Sequence, residues 1–112
     1  MEKIIIFASE RFFNLEAMNL SPLISVITIT YNASSVLRPT MESVANQTMT
    51  DREHIIIDGA SADGTLDIAR KYPGVRILSE PDGGLYDAMN KGLSMARGEY
   101  VIFLNAGDTF HS

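Results

Sequence analysis

Four short β-branched runs, each closed by polar or glycine-rich residues and three of them followed by a helical period, constrain this chain more than any other feature. Leu23–Thr30 is the first, compact and apolar as a strand buried in a parallel sheet should be. Ser34 and Ser35 offer N-cap hydroxyls to a helix with Leu37, Met41, Val44 and Ala45 on one face and Pro39 near its start. His54–Ile57 is the second strand, Gly59–Gly64 a loop, and Thr65–Tyr72 a short helix with Leu66, Ala69 and Tyr72 inward. Pro73-Gly74 stops that helix, Val75–Leu78 is the third strand, and Glu80–Gly84 a loop rich in special backbone angles. Leu85, Ala88, Met89, Gly92, Leu93 and Ala96 then mark a helix that Gly98 ends, and Tyr100–Leu104 is the fourth strand. The order β-α-β-α-β-α-β with short connections predicts an α/β fold, a mainly parallel sheet between helices with right-handed crossovers.

Length allows one domain, for the chain has 112 residues. Two segments are expected: residues 1–20, an N-terminal extension without a clean period, and residues 21–112, the α/β unit. Met18 is a candidate natural start; the competing reading is a strand or helix that covers a sheet edge. No cysteine is present, which removes disulfides and thiolate chemistry, and the two histidines, His54 and His111, are too few for a His-rich metal site. The formal charge of -5 has the wrong sign for neutralising a run of phosphates, so nucleic acid is not an expected partner. Ile4–Ala8 is far shorter than the roughly 18–20 residues of a membrane span and lacks a secretory pattern, so no transmembrane segment is expected. The expected location is cytoplasmic, with peripheral association at the inner membrane left open.

Ligands of open α/β sheets bind beyond the carboxyl ends of the strands. Here those ends carry Tyr31-Asn32, then Asp58 to Asp63, then Glu80-Pro81-Asp82, then Asn105 to Asp108. Carboxylates gathered on one rim repel unless a cation or donors compensate, and hard oxygen ligands favour Mg²⁺ or Mn²⁺. Such an ion, held by one or two carboxylates, takes its other ligands from water and phosphates, which suggests a nucleoside diphosphate. Taken singly, each of these residues is equally a helix cap or turn former. Neither GxxxxGK[ST] nor a GxGxxG after the first strand is present, which weakens ATPase and dinucleotide dehydrogenase readings.

The runs Ser25–Asn32, "HIIIDGASADGT" at 54–65, "SEPDGGLYDAMNKG" at 79–92 and "ARGEYVIFLNAGD" at 96–108 resemble the N-terminal half of family 2 glycosyltransferases of the GT-A fold. The resemblance implies a Rossmann-like three-layer α/β/α domain cut after its fourth core strand. It also implies inverting sugar transfer from a nucleotide-sugar donor, most commonly a UDP-sugar, to a saccharide or lipid-linked acceptor, with a divalent metal, Mg²⁺ or Mn²⁺, bridging the diphosphate. The "YDAMNKG" variant looks most like bacterial enzymes of capsule, exopolysaccharide or lipopolysaccharide synthesis. Position by position, Thr30, Tyr31 and Asn32 match the segment beside the nucleoside, and Asp58 the first member of the signature lining base and ribose. Gly59 stands at the second member, without its carboxylate, and Ser61, Asp63, Gly64 and Thr65 match the rest, with Asp63 read as a helix cap. Asp82 and Gly84 match the loop beside the donor and Asn90 a helix residue facing it.

The metal motif of the resembled family corresponds to Asn105-Ala106-Gly107-Asp108, where Asp108 alone keeps a carboxylate and is the expected metal contact. No residue matches the catalytic base or the acceptor site, so the chain is expected to be a donor-binding half, inactive alone, with an uncovered strand edge open to self-association. A non-catalytic nucleotide-binding or assembly module of the same fold is the alternative. Simple packing roles are expected for Met89, Leu93, Tyr86 and His54, a close approach to a strand for Gly92, and a solvated side chain for Lys91.

Overall fold

A computed structural model describes residues 3–7, 24–47 and 51–110 of the chain. Its elements are β1 (Ile4–Phe7), β2 (Ile24–Thr30), α1 (Leu37–Ala45), β3 (Arg52–Asp58), α2 (Thr65–Ala69), β4 (Arg76–Ser79), α3 (Leu85–Met95) and β5 (Tyr100–Phe103). The five strands form one sheet in the order β1-β5-β2-β3-β4, every pair parallel. β2 lies at the centre, paired with β3 from Ile24↔Arg52 to Thr30↔Asp58, and with β5 from Ile24↔Tyr100 to Ile27↔Phe103.

Both faces of this sheet are covered, as the unbroken apolar runs require. Ile27, Ile55, Ile57, Val101 and Phe103 pack with Ala88 and Ala96 beneath α3. On the other face Leu37 and Met41 of α1 meet Ile56 and Ala69, while Val44 joins Ile24, Val26, Ile102 and Leu104. The layers are therefore α/β/α, as expected.

Ile4–Phe7, from the far end of the chain, occupies the outer edge of β5, so a strand describes this part of residues 1–20. Phe7 stacks on Phe103 with ring centroids 5.4 Å apart, and Lys3 Nζ donates to the Gly98 carbonyl at 2.9 Å. The last core strand is thus paired on both sides, and among the described residues the outer strands of the sheet are β1 and β4. The start at Met18 lies outside the described residues.

Some local expectations fail for identifiable reasons. α1 begins behind Val36 with no side-chain cap, since Val36 at the N-cap has no polar side chain and Ser34 lies two residues earlier, its backbone N–H donated to Asp63 Oδ2 at 3.1 Å. Ala45 is exposed, and Thr40 takes the inward position between Leu37 and Met41. α2 stops at Ala69, and Lys71 and Tyr72 turn tightly onto the carbonyls of Ile68 and Ala69 ahead of Pro73, which disfavours helix in the residue before it. In α3 Leu85 and Tyr86 are 61% and 81% exposed rather than packed.

The close approach of Gly92 is real: a Cβ there would lie 2.7 Å from Ile27 Cγ2 and 3.4 Å from Ile57 Cγ1. On an exposed helix Gly→Ala stabilises by about 1 kcal/mol. Here Ile27 is fully buried and cannot yield without moving the sheet. Gly92→Ala should therefore destabilise by about 1–3 kcal/mol, read as a lower urea midpoint at unchanged slope.

A half-buried polar hub fixes the other end of α3. Glu53 Oε2 accepts from Ser25 Oγ and from the Arg97 N–H, both at 2.6 Å, and Oε1 accepts from Arg76 Nη1 at 2.9 Å. Burial raises the Glu53 pKa, but these donors and the Arg76 charge outweigh it and hold the carboxyl below its ordinary range.

Candidate functional site

Parallel pairing brings the carboxyl ends of β2, β3, β4 and β5 to one rim. Asp58, the last residue of β3, is fully buried there. Its Oδ1 accepts from Thr30 Oγ1 at 2.7 Å and Ser61 Oγ at 2.6 Å; its Oδ2 accepts from the Ser61 N–H and from Ser79 Oγ, each at 2.8 Å. Burial alone would raise its pKa, yet the donors from Ser61, Thr30 and Ser79 hold it below the usual carboxylate range. Ser61 reaches back because Ala60 adopts a left-handed turn with φ 63, at a cost of about 1–2 kcal/mol for a residue with a Cβ. Three strand ends are thereby tied through one carboxylate.

Asn32 is a second clasp. Its N–H donates to Ser61 Oγ and its Oδ1 accepts from the Ala62 N–H, both at 2.8 Å. Asp63 Oδ1 accepts from the backbone N–H of Thr65 at 3.0 Å and also from its hydroxyl. The hydrogen bond from the Thr65 side chain, joined by those from Ser34, pulls the Asp63 pKa down to about 2. Asp63 works from the position before the N-cap, which is Gly64.

The β4–α3 loop is pinned from the helix it precedes. Lys91 Nζ pairs with Glu80 at 3.1 Å and Asp87 at 3.4 Å and donates to the Pro81 carbonyl at 3.1 Å, so it is an internal strut rather than a solvated charge. Asp87 Oδ2 accepts from the Gly83 N–H at 2.9 Å, and Asp82 Oδ1 from the Gly84 N–H at 3.1 Å. Gly84 enters α3 with φ 111, a conformation only glycine adopts without strain.

At the opposite side of the rim, Thr40 anchors the turn after β5. Its buried hydroxyl accepts from the Gly107 N–H at 2.8 Å and donates to the Asp108 carbonyl at 2.7 Å. The Asp108 side chain stays exposed, as does Asn105. Thr40 had no sequence motif to mark it; a hydroxyl on the inward face of an amphipathic helix is the one signal it carries.

Of the expected contact residues, Thr30, Asp58 and Ser61 are brought together and hydrogen-bond to one another, while Asn32 joins them through its backbone N–H to Ser61 and its Oδ1 to the Ala62 N–H and stays exposed. Tyr31, Asp82, Gly84 and Asp108 remain at the rim with a surface to offer, Tyr31 being 67% exposed and Asp82 half-buried. Asn90 is exposed on α3, about 200° around the helix from the sheet-facing Ala88 and Gly92. Among the described residues no three His, Cys, Asp or Glu side chains converge as a metal cage. A cavity of about 350 Å³ opens at the other end of the strands, lined by Met41, Val44, Arg52, His54, Tyr72 and Val75, away from the rim carboxylates.

The family model described as Glycosyl transferase family 2 matches residues 25–112, from the start of β2 through the Asp108 turn. The chain belongs to glycosyl transferase family 2. A PGL/p-HBAD biosynthesis glycosyltransferase of Mycobacterium bovis is 40% identical over 96 residues, a match that covers 81% of this chain and 38% of the relative. The family 2 chain thus spans little more than a third of that protein. Among solved structures, residues 1–349 of S. aureus TarS in complex with UDP superpose with TM-score 0.74 at 29% identity, covering 79% of this chain and 28% of that one. The mannosyltransferase PcManGT from Pyrobaculum calidifontis, in complex with GDP-Man and Mn²⁺, gives TM-score 0.76 at 25% identity over 83% of this chain and 30% of that one. The α/β/α sheet is thus that of GT-A glycosyltransferases. No helix among the described residues is long and apolar enough to cross a membrane.

Proposed function

We propose that the carboxyl-end rim of this family 2 chain binds the nucleoside diphosphate half of a nucleotide-sugar donor, a UDP-sugar first among the candidates. The protein that carries it would transfer the sugar, with inversion at the anomeric carbon, to an acceptor hydroxyl in polysaccharide biosynthesis. The observation that carries this reading is the placement of two rim carboxylates with surface to offer, Asp82 after β4 and Asp108 after β5. They follow the last and first strands of the rim order β5-β2-β3-β4, with Tyr31 and Gly59 at the strand ends between them, and Asp82 Oδ2 leans back to within 3.0 Å of where a Cβ on Gly59 would stand. An extended ligand laid across the strand ends would meet Asp82 at its nucleoside end and Asp108 at its diphosphate.

A lone exposed carboxylate fits a metal that takes its remaining ligands from water and the donor phosphates rather than from a protein cage. Asp108 would hold that Mg²⁺ or Mn²⁺, with Thr40 fixing the turn, and the bound ion supplies charge neutralisation to the departing diphosphate. The solved relatives, one in complex with UDP and the other with GDP-Man and Mn²⁺, support this chemistry. Inverting transfer also needs a base that takes the acceptor hydroxyl proton. On this reading the base and the saccharide or lipid-linked acceptor site belong to the part of such a protein that the chain does not span, so the chain holds donor without turning it over. A cytoplasmic place against the inner membrane suits a lipid-linked acceptor.

Calorimetric titration with UDP, GDP and dTDP, each with and without Mn²⁺, tests the proposal. One nucleotide should bind, more tightly with metal, and Asp108→Ala should abolish the metal's contribution while leaving the metal-free affinity unchanged. Binding insensitive both to metal and to Asp108→Ala would contradict it.

A further inference from the structure

We propose that Asp82, and not Asp58, is the carboxylate that reads the nucleobase, and that residue 59 is glycine because the Asp82 carboxylate fills the space a side chain there would take. The inference rests on the donor-site reading above and specifies which bases the site admits.

Asp58 is excluded by its own surroundings. It is fully buried, and each oxygen already accepts two hydrogen bonds, so it has neither surface nor lone-pair direction left for a ligand. Its part is to position Thr30, Ser61 and Ser79. Gly59, the next residue, is not in the left-handed region, so the backbone does not require glycine there. The neighbour is what matters: a Cβ on Gly59 would lie 3.0 Å from Asp82 Oδ2 and 3.5 Å from Tyr31 Cδ1, so the Asp82 carboxylate would have to leave its place. The same point is therefore flanked by a carboxylate oxygen and by an aromatic ring, over bare backbone.

Asp82 is held ready for this. Oδ1 is fixed by the Gly84 N–H, which turns Oδ2 toward Gly59, and the loop is clamped by Lys91 through Glu80, the Pro81 carbonyl and Asp87. Tyr31 is exposed enough to offer its ring face to a base. A carboxylate oxygen only accepts, so it favours a base that presents a ring N–H, such as uracil at N3 or guanine at N1. Cytosine turns a lone pair to the same place and is disfavoured.

The test is titration of the wild-type chain, Asp82→Asn and Gly59→Ala with UDP, GDP and CDP, with thermal unfolding of each protein alongside. Asp82→Asn keeps an acceptor for the Gly84 N–H but presents an amide donor in place of Oδ2. Gly59→Ala pushes Oδ2 aside, which a flexible side-chain tip permits without unfolding the chain. Wild type should prefer UDP or GDP over CDP by about tenfold or more, and both variants should lose that preference with their unfolding temperatures close to wild type. Retention of the preference by either variant overturns the proposal while leaving the donor site standing. A wild-type chain that binds none of the three nucleotides overturns the donor-site reading and this inference with it.

Discussion

Asp58→Ala should cost the fold about 2–4 kcal/mol, a large part of the 5–15 kcal/mol typical of a small domain. The substitution takes the acceptor away from the hydroxyls of Thr30, Ser61 and Ser79 and from the Ser61 N–H at once; the Thr30 hydroxyl is buried and finds no water in exchange, while Ser61 is half-buried and Ser79 exposed. It also removes two of the bonds that hold the left-handed turn at Ala60, leaving the Asn32 clasp alone. Urea unfolding should show the midpoint shift, and amide exchange should accelerate most at the carboxyl ends of β2, β3 and β4. An Asp58→Ala protein as stable as wild type but unable to bind nucleotide would instead make Asp58 a ligand contact, against the bonding described here.

His54 makes stability depend on pH over a window where most side chains are silent. It is buried, with Thr28 Oγ1 2.9 Å from Nε2; burial, and then the charge of Arg52, push its pKa down to about 4. An unfolded histidine titrates near 6.5, so between pH 6.5 and about 4 the unfolded chain takes a proton that the folded chain refuses. Stability is therefore full above the unfolded pKa, falls as pH drops through the window, and levels off below about 4. The whole effect is about 3 kcal/mol, of which about 2 should appear between pH 7 and pH 5. Urea titrations at those two pH values should show the loss in the wild-type chain and not in His54→Gln; the same loss in both would place its origin elsewhere.

Strands, helices and the two apolar faces were legible in the sequence because each depends on residues close together in the chain, β-branched runs and a 3.6-residue period. The gathering of the polar strand-end residues on one rim was legible too, since the direction of a parallel sheet fixes where its loops gather. What the rim residues do there was not. Asp58 reads as a ligand contact until Thr30, 28 residues before it, and Ser79, 21 after it, are seen to converge on it. Lys91 reads as solvated until the loop ten residues before it folds back. The same holds for Thr40, whose partner lies 68 residues away in the turn at Asp108, and for Ile4–Phe7, which is too short to declare a strand until β5 offers its edge. Periodicity reports which face a residue shares; it carries nothing about which oxygen meets which hydrogen.

The donor site itself is most directly tested by mapping amide chemical shifts of the ¹⁵N-labelled chain during titration with UDP and Mg²⁺. The account predicts changes confined to the strand-end rim, at residues 31–33, 59–62, 82–84 and 105–108. Changes centred instead on the cavity at the opposite end, around Arg52, Tyr72 and Val75, or no changes at saturating nucleotide, would contradict it.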